Sequence, residues 1–256
     1  MPRRPDEVVS ITSHSGIAAV LASHGDRAGI ARNRLLASHA ESVRSLTGLR
    51  SVTAGVLKGE PSLEAALSEA AATGARTILV YPLFMAEGYF TATVLPDRIR
   101  AAGFESTTRI LAPLGLDRGV ADLMQAEARE TSRQAGLDPR ASRLLVVGHG
   151  SKFGPASASA TREAAAAIAQ AGSFASVATA FLEEPPFLKS ALERLQTPTV
   201  VAGFFFGDGM HAGEDVPAAI EETRAHAVYS GPIGQSAGIP SLIAASLLAA
   251  STVEAP

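Results

Sequence analysis

Two histidines and a glutamate recur at matching places in the second half of the chain. His149 follows Leu144-Leu145-Val146-Val147-Gly148, Glu183 follows Ala180-Phe181-Leu182, and His211 follows Phe204-Phe205-Phe206 after a short glycine loop. Each apolar run reads as a strand buried on both faces, so each polar side chain is delivered to a strand's carboxyl end. In a parallel sheet those ends share one edge, and open α/β sheets place their ligand chemistry there. Two imidazoles and a carboxylate form a nitrogen and oxygen donor set suited to a divalent ion such as Co²⁺, Fe²⁺, Ni²⁺ or Zn²⁺. A set of three leaves coordination positions open to substrate. The chain has no cysteine, so thiolate zinc sites, iron–sulfur clusters and disulfides are excluded. Imidazole also takes up protons near neutral pH, which makes the same residues candidate bases. Glu214 and Asp215 are candidates for supporting or relay carboxylates, although acidic residues in a helix's first turn also serve the helix dipole.

The elements that must position these residues are written twice. Ile17-Ala18-Ala19-Val20-Leu21-Ala22-Ser23-His24-Gly25 repeats at His149 with an offset of 125, and Leu57-Lys58-Gly59-Glu60-Pro61 repeats at the same offset as Leu182-Glu183-Glu184-Pro185-Pro186. The stretch from Gly88 to Pro96 repeats from Gly209 to Pro217 at an offset of 121, the difference falling in the connection before it. A period this long means duplicated domains and not a solenoid. The expected units are residues 1–137 and 138–256. In the first copy Lys58 stands for Glu183 and Phe90 for His211, so His24 is left alone and cannot hold an ion by itself.

Strands and helices alternate in the pattern. The first half reads as strand 17–23, helix 30–46, strand 50–57, a helix from Pro61 to Ala72, strand 76–83, a helix around 96–102, strand 107–111 and a long helix 118–134 bridging the halves. The second reads as strand 143–148, helix 157–170, strand 174–182, helix 186–195, strand 199–206, helix 214–225, strand 227–230 and helix 236–250. This alternation predicts an α/β fold with parallel sheets and right-handed crossovers.

Composition narrows the function. With 46% apolar and 18% charged residues over 256 positions, the chain can bury a sizeable core. A net charge of -3, with no basic run and few aromatics, gives no support for a nucleic-acid partner. Met1 to Ser15 lacks the apolar stretch of a signal peptide, and no apolar run approaches the ~20 residues of a membrane span. The expectation is a soluble, cytoplasmic protein.

Three motifs carry a resemblance. His149-Gly150-Ser151, Phe181-Leu182-Glu183 with Pro185, and Gly209, His211, Asp215 and Pro217 in a Gly-x-His-x-x-x-Asp-x-Pro pattern resemble those of the class II tetrapyrrole metal chelatases, the sirohydrochlorin cobaltochelatases and ferrochelatases. The resemblance implies two tandem flavodoxin-like domains facing each other across a cleft, with His149, Glu183 and His211 as the metal-handling and catalytic residues. It implies a lyase that inserts Co²⁺ or Fe²⁺ into a tetrapyrrole such as sirohydrochlorin, in cobalamin or siroheme biosynthesis. Ni²⁺ or Zn²⁺ would be surrogates, and no cofactor beyond the substrate ion is expected. Because both sides of the cleft come from one chain, a monomer is expected. The first half would form a wall, with Tyr89, Phe90, Phe84 and Met85 against the macrocycle and Lys58 and Arg27 meeting its carboxylates. Two alternatives stand beside this reading. One is a metal or tetrapyrrole carrier with the same ligands. The other is a dinucleotide-dependent enzyme, since Gly148-His149-Gly150-Ser151-Lys152-Phe153-Gly154 is loosely similar to a phosphate-binding turn, with the third glycine one residue late.

Overall fold

The computed structural model describes residues 16–25, 33–207 and 211–252. The tail Met1–Ser15, Arg27 and the first residues of the helix expected from Ile30 lie outside the described residues.

Two four-stranded parallel sheets are present. The first comprises β1 (Ile17–Ser23), β2 (Ser51–Val56), β3 (Thr77–Pro82) and β4 (Thr108–Ile110) in the order β2-β1-β3-β4. The second comprises β5 (Arg143–Gly148), β6 (Ser176–Phe181), β7 (Thr199–Gly203) and β8 (Ala227–Pro232) in the order β6-β5-β7-β8. This is the doubly wound, flavodoxin-like order, in which the chain leaves the central strand on one side and returns on the other. The helices are α1 (Arg34–Thr47), α2 (Leu63–Ala72), α3 (Leu95–Ala101), α4 (Arg118–Gln134), α5 (Ala156–Gln170), α6 (Leu188–Glu193), α7 (Val216–Thr223) and α8 (Ile239–Thr252).

Strand alternation sorts the core into layers. Ala18, Val20 and Ala22 of β1 face one cluster with α2 and α3, while Ala19 and Leu21 face the other way. In β5, Leu145 and Val147 face α6 and α7, while Leu144 and Val146 join Ala19 and Leu21 in one central core. That central core is filled by α1, α4, α5 and α8. The order of layers is therefore outer helices, sheet, shared central helices, sheet, outer helices.

The two bridging helices are exchanged between the sheets. α4, which follows the first sheet in sequence, packs on β7 and β8, while α8 packs on α1 and β3. Their contacts obey a two-fold relation at an offset of 119. Ser246 donates to Asp117 at 2.7 Å and Ser236 donates to Glu127 at 2.8 Å, the carboxylate and hydroxyl changing places between the copies. Each copy also lacks a side chain where the other inserts a leucine: a Cβ at Gly119 would stand 2.2 Å from Leu242, and one at Gly238 2.5 Å from Leu123. The helix predicted as a bridge is thus part of a cross-packed pair.

Two local expectations are corrected. Pro61 is not in the first turn of α2; it follows a cis peptide bond, and Ser62 caps the helix by accepting from the Ala65 N–H at 3.2 Å. The helix expected around 96–102 begins before its proline, at Leu95, and both it and the helix expected from 214 are led in by π-helical turns, over Phe90–Val94 and His211–Asp215, that the sequence pattern did not indicate. Such turns recur at functional sites.

His39 on α1 is buried, and its Nε2–H donates to the Gly234 carbonyl at 2.8 Å. Burial holds its pKa below the ordinary histidine value, more strongly than the carbonyl bond raises it. The unfolded chain therefore takes up a proton at His39 near pH 6.5 while the folded chain still resists it, so stability falls as pH drops below that value. Urea unfolding between about pH 7 and 5.5 should show a steeper loss in wild type than in His39→Gln. Equal slopes would contradict the assignment.

Candidate metal and macrocycle site

The carboxyl edge of each sheet is built in the same way. After β5, Gly150 adopts φ +72°, and His149 Nδ1 lies 3.0 Å from the Gly150 carbonyl. A carbonyl only accepts, so Nδ1–H is the donor here; in a neutral imidazole that leaves the lone pair on Nε2, the tautomer suited to a metal. His24 repeats the arrangement with Gly25 at φ +77° and the same 3.0 Å bond. A left-handed glycine is required at both places, because a Cβ at Gly25 would strike the Lys58 carbonyl at 2.3 Å and one at Gly150 the Glu184 side chain at 2.8 Å.

Backbone bonds join the neighbouring strand end to each histidine. The Lys58 N–H donates to the His24 carbonyl at 2.8 Å, and the Glu183 N–H donates to the His149 carbonyl at 2.9 Å. Glu183 is thereby held beside His149 on the edge. His149 is exposed, and the half-buried Glu183 carboxylate pairs with Lys152 Nζ at 3.3 Å.

The third position comes from the π-helical turn. β1 and β3 flank the switch point of the first sheet, and β5 and β7 that of the second, which is where ligands bind in such folds. In the first half the three equivalent residues meet. The His24 and Phe90 rings pack edge to face at 4.7 Å, and Lys58 Nζ stands 5.7 Å from the Phe90 ring centre. Phe84 and Tyr89 join Phe90 at 6.3 and 5.7 Å. Met85 does not join this group: it packs against the central core, because its neighbour Phe84 takes the outward direction. In the second half the backbone of His211 opens the π-helical turn, while its side chain lies outside the described residues. Among the described residues no three histidine or acidic side chains form a cluster that could hold an ion. Glu214 and Asp215 are exposed in the same turn.

Glu184, which the sequence offered only as an acidic partner in the dinucleotide alternative, has a structural role. It is mostly buried, accepts from the Ser151 N–H at 3.4 Å and pairs with Arg162 at 3.4 Å, while the Arg162 guanidinium lies 4.9 Å from the Phe181 ring centre. It ties the loop after His149 to β6 and α5. The sequence signal was its place directly before Pro185-Pro186, at the position held by Gly59 in the first half; the Pro185–Pro186 bond is cis, as is Glu60–Pro61.

The glycine-rich stretch is not a phosphate cradle. A Cβ at Gly148 would stand 2.2 Å from Thr161 Oγ1, so this glycine serves strand–helix packing, and α5 begins only at Ala156, well past the turn. A dinucleotide turn opens its helix directly at the pyrophosphate. A cavity of about 370 Å³ lies between α4 and the ends of β7 and β8, lined by Met124, Glu127, Gly203 and Ser236 among others; His149 and Glu183 do not line it.

Comparison with known proteins matches this architecture. The family model CbiX matches twice, over residues 18–131 and 143–250. A probable sirohydrochlorin cobaltochelatase of Halobacterium salinarum is 27% identical over 224 residues, covering 78% of this chain and 75% of the relative. Among solved structures, CbiX, described as the terminal enzyme for biosynthesis of siroheme in denitrifying bacteria, is 31% identical with a TM-score of 0.75, covering 91% of this chain and 98% of that one. SirB from Bacillus subtilis, solved with Fe³⁺, shares the fold at 20% identity and a TM-score of 0.79, over 93% of this chain and 98% of its own. With each half matching the same model and the duplicated architecture shared across nearly all of a solved relative, the chain belongs to the CbiX family.

Proposed function

We propose that this protein is a sirohydrochlorin metal chelatase, a lyase that inserts Co²⁺ or Fe²⁺ into the macrocycle, with His149, Glu183 and His211 handling the ion. The observation that carries the reading is the strand edge of the second half. There a histidine with its lone pair on Nε2 and a carboxylate are tied to each other through the backbone, at the switch point of a CbiX fold. The converging trio His24, Lys58 and Phe90 supports a matching convergence of His149, Glu183 and His211. The units are read as residues 1–137, a wall without ligands, and 138–256, which carries the site.

Insertion replaces two pyrrole N–H protons by one divalent ion, so the products are the metallated ring and two protons. Neutral imidazoles on one face of the ring hold the ion until the ring nitrogens take it, and accept the departing protons. Glu183 either binds the ion or raises the basicity of a histidine. Phe84, Tyr89 and Phe90 supply an apolar face to the ring, and Lys58 a cation to its peripheral carboxylates. The long loop between β5 and α5 disfavours the dinucleotide alternative.

Mixing the protein with sirohydrochlorin and Co²⁺ or Fe²⁺ while following the absorption spectrum tests this reading. Turnover is expected. Binding without turnover identifies a carrier, and no spectral change with any divalent ion refutes the reading.

Lys152 gives a smaller prediction. Its ammonium compensates Glu183 in the metal-free protein and opposes an arriving dication. Lys152→Met should tighten Co²⁺ binding by about fivefold at low salt, and by less at high salt. Weaker binding in that variant would show that Lys152 helps to hold the site open.

A further inference from the structure

We propose that His39, on α1 of the first half, is a positioning residue for the site of the second half: through the Gly234 carbonyl and the Phe206 ring it holds the place where the chain leaves the second sheet, Phe206 and Gly207, ahead of His211. This rests on the reading that His211 handles the metal.

The turn Ile233–Gln235 is the clamp. The Gly234 N–H donates to the Phe205 carbonyl at 3.0 Å, and the absence of a side chain lets the turn press on the next peptide, since a Cβ at Gly234 would lie 1.7 Å from the Phe206 carbonyl oxygen. His39 holds this clamp from the other half. Its Nε2–H reaches the Gly234 carbonyl at 2.8 Å, and its ring lies 5.9 Å from that of Phe206. Leu35, one turn earlier on the same face of α1, is the neighbour of Gly207, where a Cβ would stand 3.9 Å from Leu35 Cδ2. Phe206 and Gly207 are the last described residues before the π-helical turn that begins at His211.

The first half is a built-in comparison. Gly115 donates to the Phe84 carbonyl at 3.0 Å, and a Cβ there would strike the Met85 carbonyl at 2.0 Å, so the clamp itself is duplicated. At the offset of 125, however, the counterpart of His39 is Ala164, which has no donor. Ala164 lies buried in the same central core, so packing alone does not call for an imidazole at this place. The cross-half donor is found on the copy that leads to His211 and not on the copy that leads to Phe90. Burying an imidazole opposes its protonation, a cost that filling the space with an aliphatic side chain would avoid.

The test compares full-length variants by Co²⁺ titration and by turnover with sirohydrochlorin and Co²⁺. His39→Leu keeps apolar bulk without a donor and should weaken Co²⁺ binding and lower kcat by roughly tenfold, with KM for the macrocycle unchanged. His39→Gln, whose amide nitrogen reaches the place of Nε2, should restore both. Ser246→Ala removes a different cross-half bond, to Asp117. It should lower Tm while leaving Co²⁺ affinity unchanged. If His39→Leu does not fold, His39→Asn replaces it, because the shorter amide cannot reach Gly234. Wild-type affinity and kcat in the donor-less variant overturn the proposal, as does Ser246→Ala weakening Co²⁺ binding equally. His211→Ala with undiminished Co²⁺ affinity would overturn the site reading and this inference together; His211→Ala inactive beside a normal His39→Leu would overturn this inference alone.

Discussion

Replacing His149 or His211 with alanine is expected to slow metal insertion by about 10²–10⁴-fold, the range for loss of a positioned acid or base. His149 is exposed at the end of β5 and has little packing to lose, so the melting temperature of His149→Ala should stay near that of wild type. The loss should fall on kcat, because the histidine is used as the ion leaves and the ring protons depart, while the macrocycle is held by other residues. Glu183→Gln distinguishes its two roles: a loss as severe as that of the histidines marks a ligand, and a milder one marks an orienting carboxylate. Wild-type rates in either histidine variant would refute the assignment.

Gly234→Ala is the largest expected effect on stability. The added Cβ would overlap the Phe206 carbonyl oxygen at 1.7 Å, and a backbone atom cannot rotate away. The cost should be about 3 kcal/mol, the upper end for overpacking. Gly115→Ala, facing the Met85 carbonyl at 2.0 Å, should behave alike in the other half. Gly119→Ala is the control: its Cβ would meet the tip of the flexible Leu242 side chain, which can change rotamer, so it should cost about 1 kcal/mol. Urea unfolding of the three variants measures the contrast, and equal midpoints for Gly234→Ala and Gly119→Ala would contradict it.

Much of this architecture was legible in the sequence, for identifiable reasons. The central strands Ile17–Ser23 and Arg143–Gly148 carry unbroken apolar runs, Ile17 to Ala22 and Leu144 to Val147, because both faces are covered, so they stand out from their surroundings. α4 was legible to its ends because Asp117 caps it and Gly136, at φ +69°, terminates it. The offset of 125 placed His24 opposite His149 and Lys58 opposite Glu183, and the matching backbone bonds of those pairs agree with that register.

Tertiary choices were not legible. The exchange of α4 and α8 between the sheets leaves no periodic signal, and the reversed pairs Asp117–Ser246 and Glu127–Ser236 do not look alike in sequence. Local rules also misplaced Pro61 and the helix starts after β3 and β7, because cis peptides and π-helical turns have no composition of their own. Met85 was read with Phe84, although the two pack on different sides, Met85 against the central core and Phe84 against the outer cluster. His39 resembled any other helix residue until Gly234, far along the chain, was found against it.

Calorimetric titration of the full-length protein with Co²⁺ tests the central claim most directly. The first edge offers His24, an ammonium at Lys58 and a phenyl ring at Phe90, so repulsion and the lack of lone pairs should keep it empty. The account predicts saturation at one ion per chain, binding lost in the His149→Ala, His211→Ala double variant and binding retained in His24→Ala. Two equivalent ions per chain, or loss of binding on changing His24, would contradict it.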